Sequence, residues 1–214
     1  MNRIDFNKYN RILGISTGIL SFVVFALTVE PTASYWDCAE YISTSAKLQI
    51  GHPPGAPLFQ MLGAIFSIFA LELNQIAYAV NMMSVLSSAL TIVFLFWSIS
   101  LIGKEILGLT NSLKTDEAIK VFGSSFLGSI TFTFTDSFWF NAVEAEVYAM
   151  ATLILAILFW LGLKWVDDFQ NQRADKWLVL ISFVVGLSFG VHFMGLLAIP
   201  SIGLLYYFKK YKKF

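Results

Sequence analysis

Asp37, Glu40, Tyr41 and Thr44 fall at i, i+3, i+4 and i+7, so a helix over them carries both carboxylates on one face. Carboxylates are groups that can take a proton from a hydroxyl. The same two acids also fit a solvated rim after a membrane span. Downstream, the run His52-Pro53-Pro54-Gly55 makes a rigid corner, because a residue before proline is pushed out of the α region. The helix is therefore expected to stop at Gly51, with His52 on an extended corner.

A second acidic stretch lies more than ninety residues on. Glu144 and Glu146 are two apart, so a continuous helix points them to nearly opposite sides, with Asn141, Glu144 and Tyr148 sharing a face. If a helix instead starts near Glu146, that carboxylate sits in the first turn, where the helix dipole favours it. Periodicity leaves both arrangements open. His192 falls beside Gly190 and Gly195 in a long apolar run. It is either a packing residue or a functional one at a turn.

The elements that must hold these residues are membrane helices. The 214 residues are 57% hydrophobic and 13% charged, with 21 Phe and 6 Trp, against about 25% charged in soluble domains. Net charge is zero, and nothing points to nucleic acid. Cys38 is the only cysteine, which excludes an intrachain disulfide. No phosphate-cradling glycine loop, Cys/His cluster or nucleophile elbow appears.

Residues 12–29 and 76–102 are uncharged runs of 18 and 27 residues, long enough to cross about 30 Å of hydrocarbon. The first reads as an uncleaved anchor. Residues 121–135 and 147–163 add two more runs. Residues 177–208, 32 without charge, are too long for one ordinary span and predict a hairpin turning near His192. Residues 57–71 are only 15 long and read as a helix on the outer face. This gives an all-α polytopic membrane bundle of about six spans plus outer juxtamembrane helices, one domain over 1–214, with outer loops about 30–75 and 136–146. The positive-inside rule supports the arrangement: both termini and 13 of the 14 Lys and Arg fall inside, all but Lys47. Glu30, Asp37, Glu40, Glu72, Asp136, Glu144 and Glu146 gather outside. Tyr35, Trp36, Tyr41 and Trp139 fit an interfacial aromatic belt.

Three stretches carry a resemblance. Asp37-x-x-Glu40 followed by His52-Pro53-Pro54-Gly55-x-Pro57-Leu58 resembles the first outer loop of the C-type (GT-C) glycosyltransferase superfamily. Phe140-x-Ala142-Val143-x-Ala145-Glu146-Val147-Tyr148-Ala149 resembles its second. Leu187-x-x-Gly190-x-His192, with Pro200 beyond, is similar to a third. In order, the three most resemble glycosyltransferase family 117, which includes bacterial members and a eukaryotic protein O-mannosyltransferase. The resemblance implies a GT-C fold, of which this chain looks like the N-terminal half.

It also implies an inverting, lipid-phosphate-sugar-dependent transferase. A mannose-like sugar would move from a polyprenyl-phosphate donor to a hydroxyl acceptor, protein or glycan, on the extracytoplasmic side of a bacterial inner membrane or an ER-type membrane. On this resemblance Asp37 is the expected base, with Glu40 and Glu146 as further catalytic candidates and His52, Glu144, Tyr148 and His192 as substrate-binding ones. Glu146 would orient the acceptor or hold a divalent cation, Mg or Mn, together with Asp37. His192 would meet the lipid phosphate, and residues 57–71 would guide the polyprenyl tail. The alternatives are a transporter or channel component and a non-catalytic membrane scaffold. A transporter would place ionisable groups near the bilayer midplane, whereas the apolar runs here lack Asp, Glu, Lys and Arg.

Overall fold

Helix α1, Phe6–Leu27, begins where Asp5 accepts the Lys8 backbone N–H at 2.9 Å, a side-chain cap for a backbone donor that the helix itself leaves unpaired. The computed structural model describes residues 3–211, so Lys212 and Lys213 of the basic C-terminal run lie outside the described residues. Among the described residues the regular structure is all helical apart from a two-residue antiparallel pairing. In it, β1 (Ile4–Asp5) sets Ile4 opposite Leu113 of β2 (Ser112–Leu113).

The order after α1 is α2 (Cys38–Lys47), α3 (Pro57–Ser67), α4 (Ile76–Ile106), β2, α5 (Thr115–Thr133), α6 (Asp136–Ala142), α7 (Val147–Asp167), α8 (Lys176–Ser188) and α9 (Ala198–Tyr211). A 3₁₀ turn, Leu73–Gln75, leads into α4, and another, Phe193–Leu197, leads into α9. The hairpin expected near His192 is present as α8, a turn and α9.

The central element is α4, which packs against α1, α3, α5 and α7. Its 31 residues rise about 46 Å. Small polar residues line its buried surface, Ser84, Ser87, Ser88 and Thr91 among them, which lets neighbouring helices approach closely. Ser87 and Thr91 return their hydroxyls to the helix, on Met83 O and Ser87 O.

Each end of α4 is tied by a buried polar side chain. Near one end Asn81, fully buried, donates to the carbonyls of Glu30 at 2.6 Å and Thr32 at 2.9 Å. Near the other, Lys104 reaches Asp167 at 2.5 Å and Asn111 at 3.1 Å, and Lys164 shares Asp167 at 3.1 Å. Asn81 and Lys104 stand 23 residues apart, about 35 Å along the helix. The two polar ends thus lie a little more than a bilayer core apart.

This is a membrane protein. Among the described residues, three helical stretches are long and apolar enough to cross a membrane: Phe6–Leu27, Leu73–Ile106 and Val147–Asp167. The other expected spans are helical but shorter or more polar. Thr115–Thr133 opens with Asp116, Glu117 and Lys120 in its first two turns, and Lys176–Ser188 has 13 residues, about 20 Å. The expected outer helix is α3, whose 11 residues rise about 16 Å, short of the hydrocarbon core.

Candidate functional site

The first acidic stretch folds as α2, with Asp37 at its N-cap and Glu40 in its first turn. The helix ends earlier than Gly51. Leu48 takes the left-handed conformation, φ 48°, and closes α2 at Lys47. The chain then runs back so that His52 returns over the start of the helix. There Glu40 accepts the His52 backbone N–H at 2.6 Å and faces its ring Nδ1 at 3.0 Å. Gly51 fits this return because a Cβ there would lie 2.9 Å from Gln60 Nε2 and 3.2 Å from Glu40 Oε1.

Beneath the carboxylates lies the main core cluster, including Cys38, Tyr41, Phe59, Met83, Ala145 and Val147. Tyr41 is not part of an aromatic belt: it is buried and packs edge-on against Phe59, with centroids 5.2 Å apart. Burial, then the charges of Glu146, Asp37 and Glu40, push its hydroxyl up to about 12, so it stays a hydrogen-bond donor.

The second acidic stretch is not one helix. α6 ends at Ala142 and α7 begins at Val147, with Glu146 as its N-cap, so Glu144 and Glu146 sit in the break. Of the two arrangements open from periodicity, the helix start near Glu146 is the one formed. The break is held by Glu30, whose N–H donates to Val143 O at 3.0 Å, and by Ala145, which is fully buried. Both carboxylates are buried. Ser34 donates its hydroxyl to Glu144. Glu146 keeps Oε1 without a partner among the described residues. Burial, then the charges of Asp37 and Glu144, push Glu146 up to about 7, against the pull of the Asp37 and Val147 backbone.

Two cavities meet at this point. The larger, 440 Å³, is lined by Trp36, Phe140, Asn141 and Glu144, together with Asp37, Glu146 and Tyr148. The smaller, 160 Å³, is lined by Tyr41, His52, Pro54, Gly55, Phe189, Val191, His192 and Phe193, together with Val147 and the same Asp37, Glu146 and Tyr148. Those three residues form the wall between them. A wider groove, 640 Å³ between α4, α7 and α9, is lined by no carboxylate or histidine and lies elsewhere.

The two histidines have opposite proton arrangements. Glu40, held below the usual carboxylate range by its bonds from His52, is ionised and receives a proton on His52 Nδ1. His52 Nε2 then faces Asp37 at 3.8 Å, and its pKa is raised, first by the Glu40 hydrogen bond and then by the Glu40 charge. His192 Nδ1 instead accepts the Met194 N–H at 3.2 Å, so a neutral ring carries its proton on Nε2. The His192 ring leans on Tyr148, centroids 5.4 Å apart.

All seven sequence-selected residues therefore gather in one place. Six line the cavities, and Glu40 holds His52 from outside them. For a cation, the donor atoms of Asp37, Glu40 and His52 all lie within 4.8 Å of one another, a set that differs from the expected Asp37–Glu146 pair. Three contributors escaped the sequence reading. Trp36, assigned to the belt, lines the larger cavity. Ser34 and Asn81 were hidden because nothing local marks a serine or a mid-helix asparagine as a partner for a loop fifty or a hundred residues away.

A family model described as the protein O-mannosyl-transferase TMEM260 N-terminal domain matches residues 37–214. Protein O-mannosyl-transferase tmem260 of Dictyostelium discoideum is 26% identical over 191 residues, 83% of this chain and 21% of that protein. Protein O-mannosyl-transferase TMEM260 of Mus musculus is 25% identical over 165 residues, 77% of this chain and 21% of that protein. The chain thus spans about a fifth of the length of the curated relatives it matches. No solved structure matches it.

Proposed function

The chain belongs to the family of the protein O-mannosyl-transferase TMEM260 N-terminal domain, and from that premise we propose that it forms the catalytic membrane part of an inverting GT-C glycosyltransferase. The reaction moves a mannose-like sugar from polyprenyl phosphate to a hydroxyl on an acceptor protein. Asp37 carries the reading: its carboxylate is half exposed and stands in the wall shared by both cavities. A base so placed can take the acceptor proton as the acceptor oxygen bonds to the anomeric carbon. The carbon–phosphate oxygen bond breaks on the opposite face, and polyprenyl phosphate leaves with the electron pair. The His192 Nε2–H is suited to meet that phosphate.

The opposed polar ends of α4 support an orientation with the acidic site extracytoplasmic and both termini cytoplasmic, in six spans, because cations concentrate on the inner side. α3 and the turn after it expose Met61, Ile65, Ile68 and Phe69, an apolar surface for the polyprenyl tail. A divalent cation between Asp37 and Glu146 would use the unpartnered Glu146 Oε1, and such carboxylates suit Mg or Mn.

The test is Asp37→Asn in the full-length protein, which keeps size and removes basicity. The variant is expected to bind the lipid donor and to lose about 10² to 10⁴ in transfer rate. Wild-type turnover by the variant would reduce Asp37 to a rim charge.

A further inference from the structure

We propose that the 440 Å³ compartment is the hexosyl subsite, in which the Trp36 indole stacks on the apolar face of the sugar ring while Asn141 and Glu144 take its hydroxyls. This deepens, and rests on, the transferase reading above.

The compartments divide by size and chemistry. The larger falls within the range of ordinary small-molecule sites, about 300–1,000 Å³, and the 160 Å³ compartment falls below it. The smaller, with His192 and the apolar rings of Phe189 and Phe193, fits a phosphate and the first carbons of a prenyl chain. A sugar joined to that phosphate has to lie across the wall. Its anomeric carbon then sits beside Asp37, and its ring lies in the larger compartment.

The larger compartment also has what a sugar ring needs. A hexose presents C–H groups on one face and hydroxyls around its edge. The C–H face matches the negative face of an aromatic ring, and every buried hydroxyl needs a partner. Trp36 supplies the ring. Its backbone sits at φ 61°, a left-handed conformation that is unfavourable for a bulky residue. Packing does not compensate for this cost, since Trp36 is 86% exposed. An aromatic residue held in that conformation and left open, directly before Asp37, is placed for a ligand.

The edge partners are present too. Asn141 spends its amide N–H on Ser137 O at 2.8 Å, leaving Oδ1 as an acceptor. Glu144 is 2% exposed and fixed by Ser34. Glu146, 5% exposed, lines the same compartment. The acceptor protein approaches over the half-exposed side of Asp37 and does not need this compartment.

The experiment compares two probes on full-length protein: polyprenyl-phosphate mannose and bare polyprenyl phosphate. Trp36→Ala is expected to weaken binding of the mannosyl lipid roughly tenfold and to leave the bare lipid phosphate within about twofold, with Trp36→Phe restoring most of the loss. Asn141→Leu gives the same sugar-selective pattern and guards against a folding defect at position 36. His192→Ala weakens both probes. Equal loss of both probes in Trp36→Ala, no loss of either, or a rise confined to the acceptor KM overturns the subsite. These outcomes leave the transferase reading standing if wild-type protein transfers mannose from the lipid. A wild-type full-length protein that fails to transfer overturns both.

Discussion

Glu40 receives two bonds from one residue, the backbone N–H of His52 at 2.6 Å and its ring Nδ1 at 3.0 Å. This closes the loop between α2 and α3 into a ring of fixed geometry and aims His52 Nε2 at Asp37. It also occupies Glu40. Of the two carboxylates predicted on one helix face, Glu40 holds the loop, and Asp37 meets the His52 ring only at 3.8 Å and lines both cavities.

Exchange of Glu40 for Gln keeps one acceptor for the backbone N–H but removes the charge beside His52. Because the Glu40 hydrogen bond and charge raise the His52 pKa, the variant's imidazolium should lose its proton at lower pH than the wild type's. NMR titration of the His52 ring, or the pH profile of transfer, should show that downward shift. A His52 titration indifferent to the substitution would contradict the contact.

Glu146 gives a stability signature. Its folded pKa, pushed up to about 7, lies above the ordinary carboxylate value of 4.5, so between those limits the folded state holds a proton that the unfolded state has released. Stability should therefore fall as pH rises from about 4.5 to about 7 and stay level above. Glu146→Gln should flatten that fall and, above pH 7, recover a penalty on the order of 3 kcal/mol. The readout is Tm in detergent across pH. Parallel wild-type and variant curves would exclude the raised pKa.

Orientation can be read by thiol labelling, but not through the native thiol. Cys38 is fully buried, and burial raises its pKa, so it should resist a membrane-impermeant maleimide even in detergent. Ile50, 95% exposed beside His52, is the better reporter, and Ile106, 77% exposed, marks the other end of α4. Ile50→Cys should label in intact cells, and Ile106→Cys only after permeabilisation. The reverse pattern would invert the proposed topology.

Asn81 anchors the loop before Trp36 through the carbonyls of Glu30 and Thr32. Asn81→Leu leaves both carbonyls without that donor and should cost about 2 kcal/mol of stability. A Tm unchanged from wild type would mean that water replaces the amide.

The sequence was informative where physics is local. Uninterrupted apolar runs marked α1, α4 and α7, the two prolines marked the corner at His52, and the glycines around His192 marked the hairpin. The break between Glu144 and Glu146 had no such mark, since no Gly or Pro stands between Ala142 and Val147. It forms because Glu30 captures Val143 and the core takes Ala145, and both contacts are tertiary. For the same reason α2 stops at Leu48, a residue whose type gives no hint of a left-handed turn. Tyr41 looked interfacial by type and proved to be core because Phe59 lies against it.

The Gly190 carbonyl accepts the backbone N–H groups of Leu58 at 2.7 Å and Phe59 at 3.3 Å, and a Cβ on Gly190 would lie 2.8 Å from that of Leu58. The start of α3 is thus completed by a residue made 132 positions later. At about 5–20 residues per second, the ribosome needs roughly 7 to 26 s to cover that distance. For that interval the His52 corner exists without its far wall. The two acidic stretches are thus made long before the pocket wall that joins them, and the nascent chain holds that pocket open until the α8–α9 turn is in place.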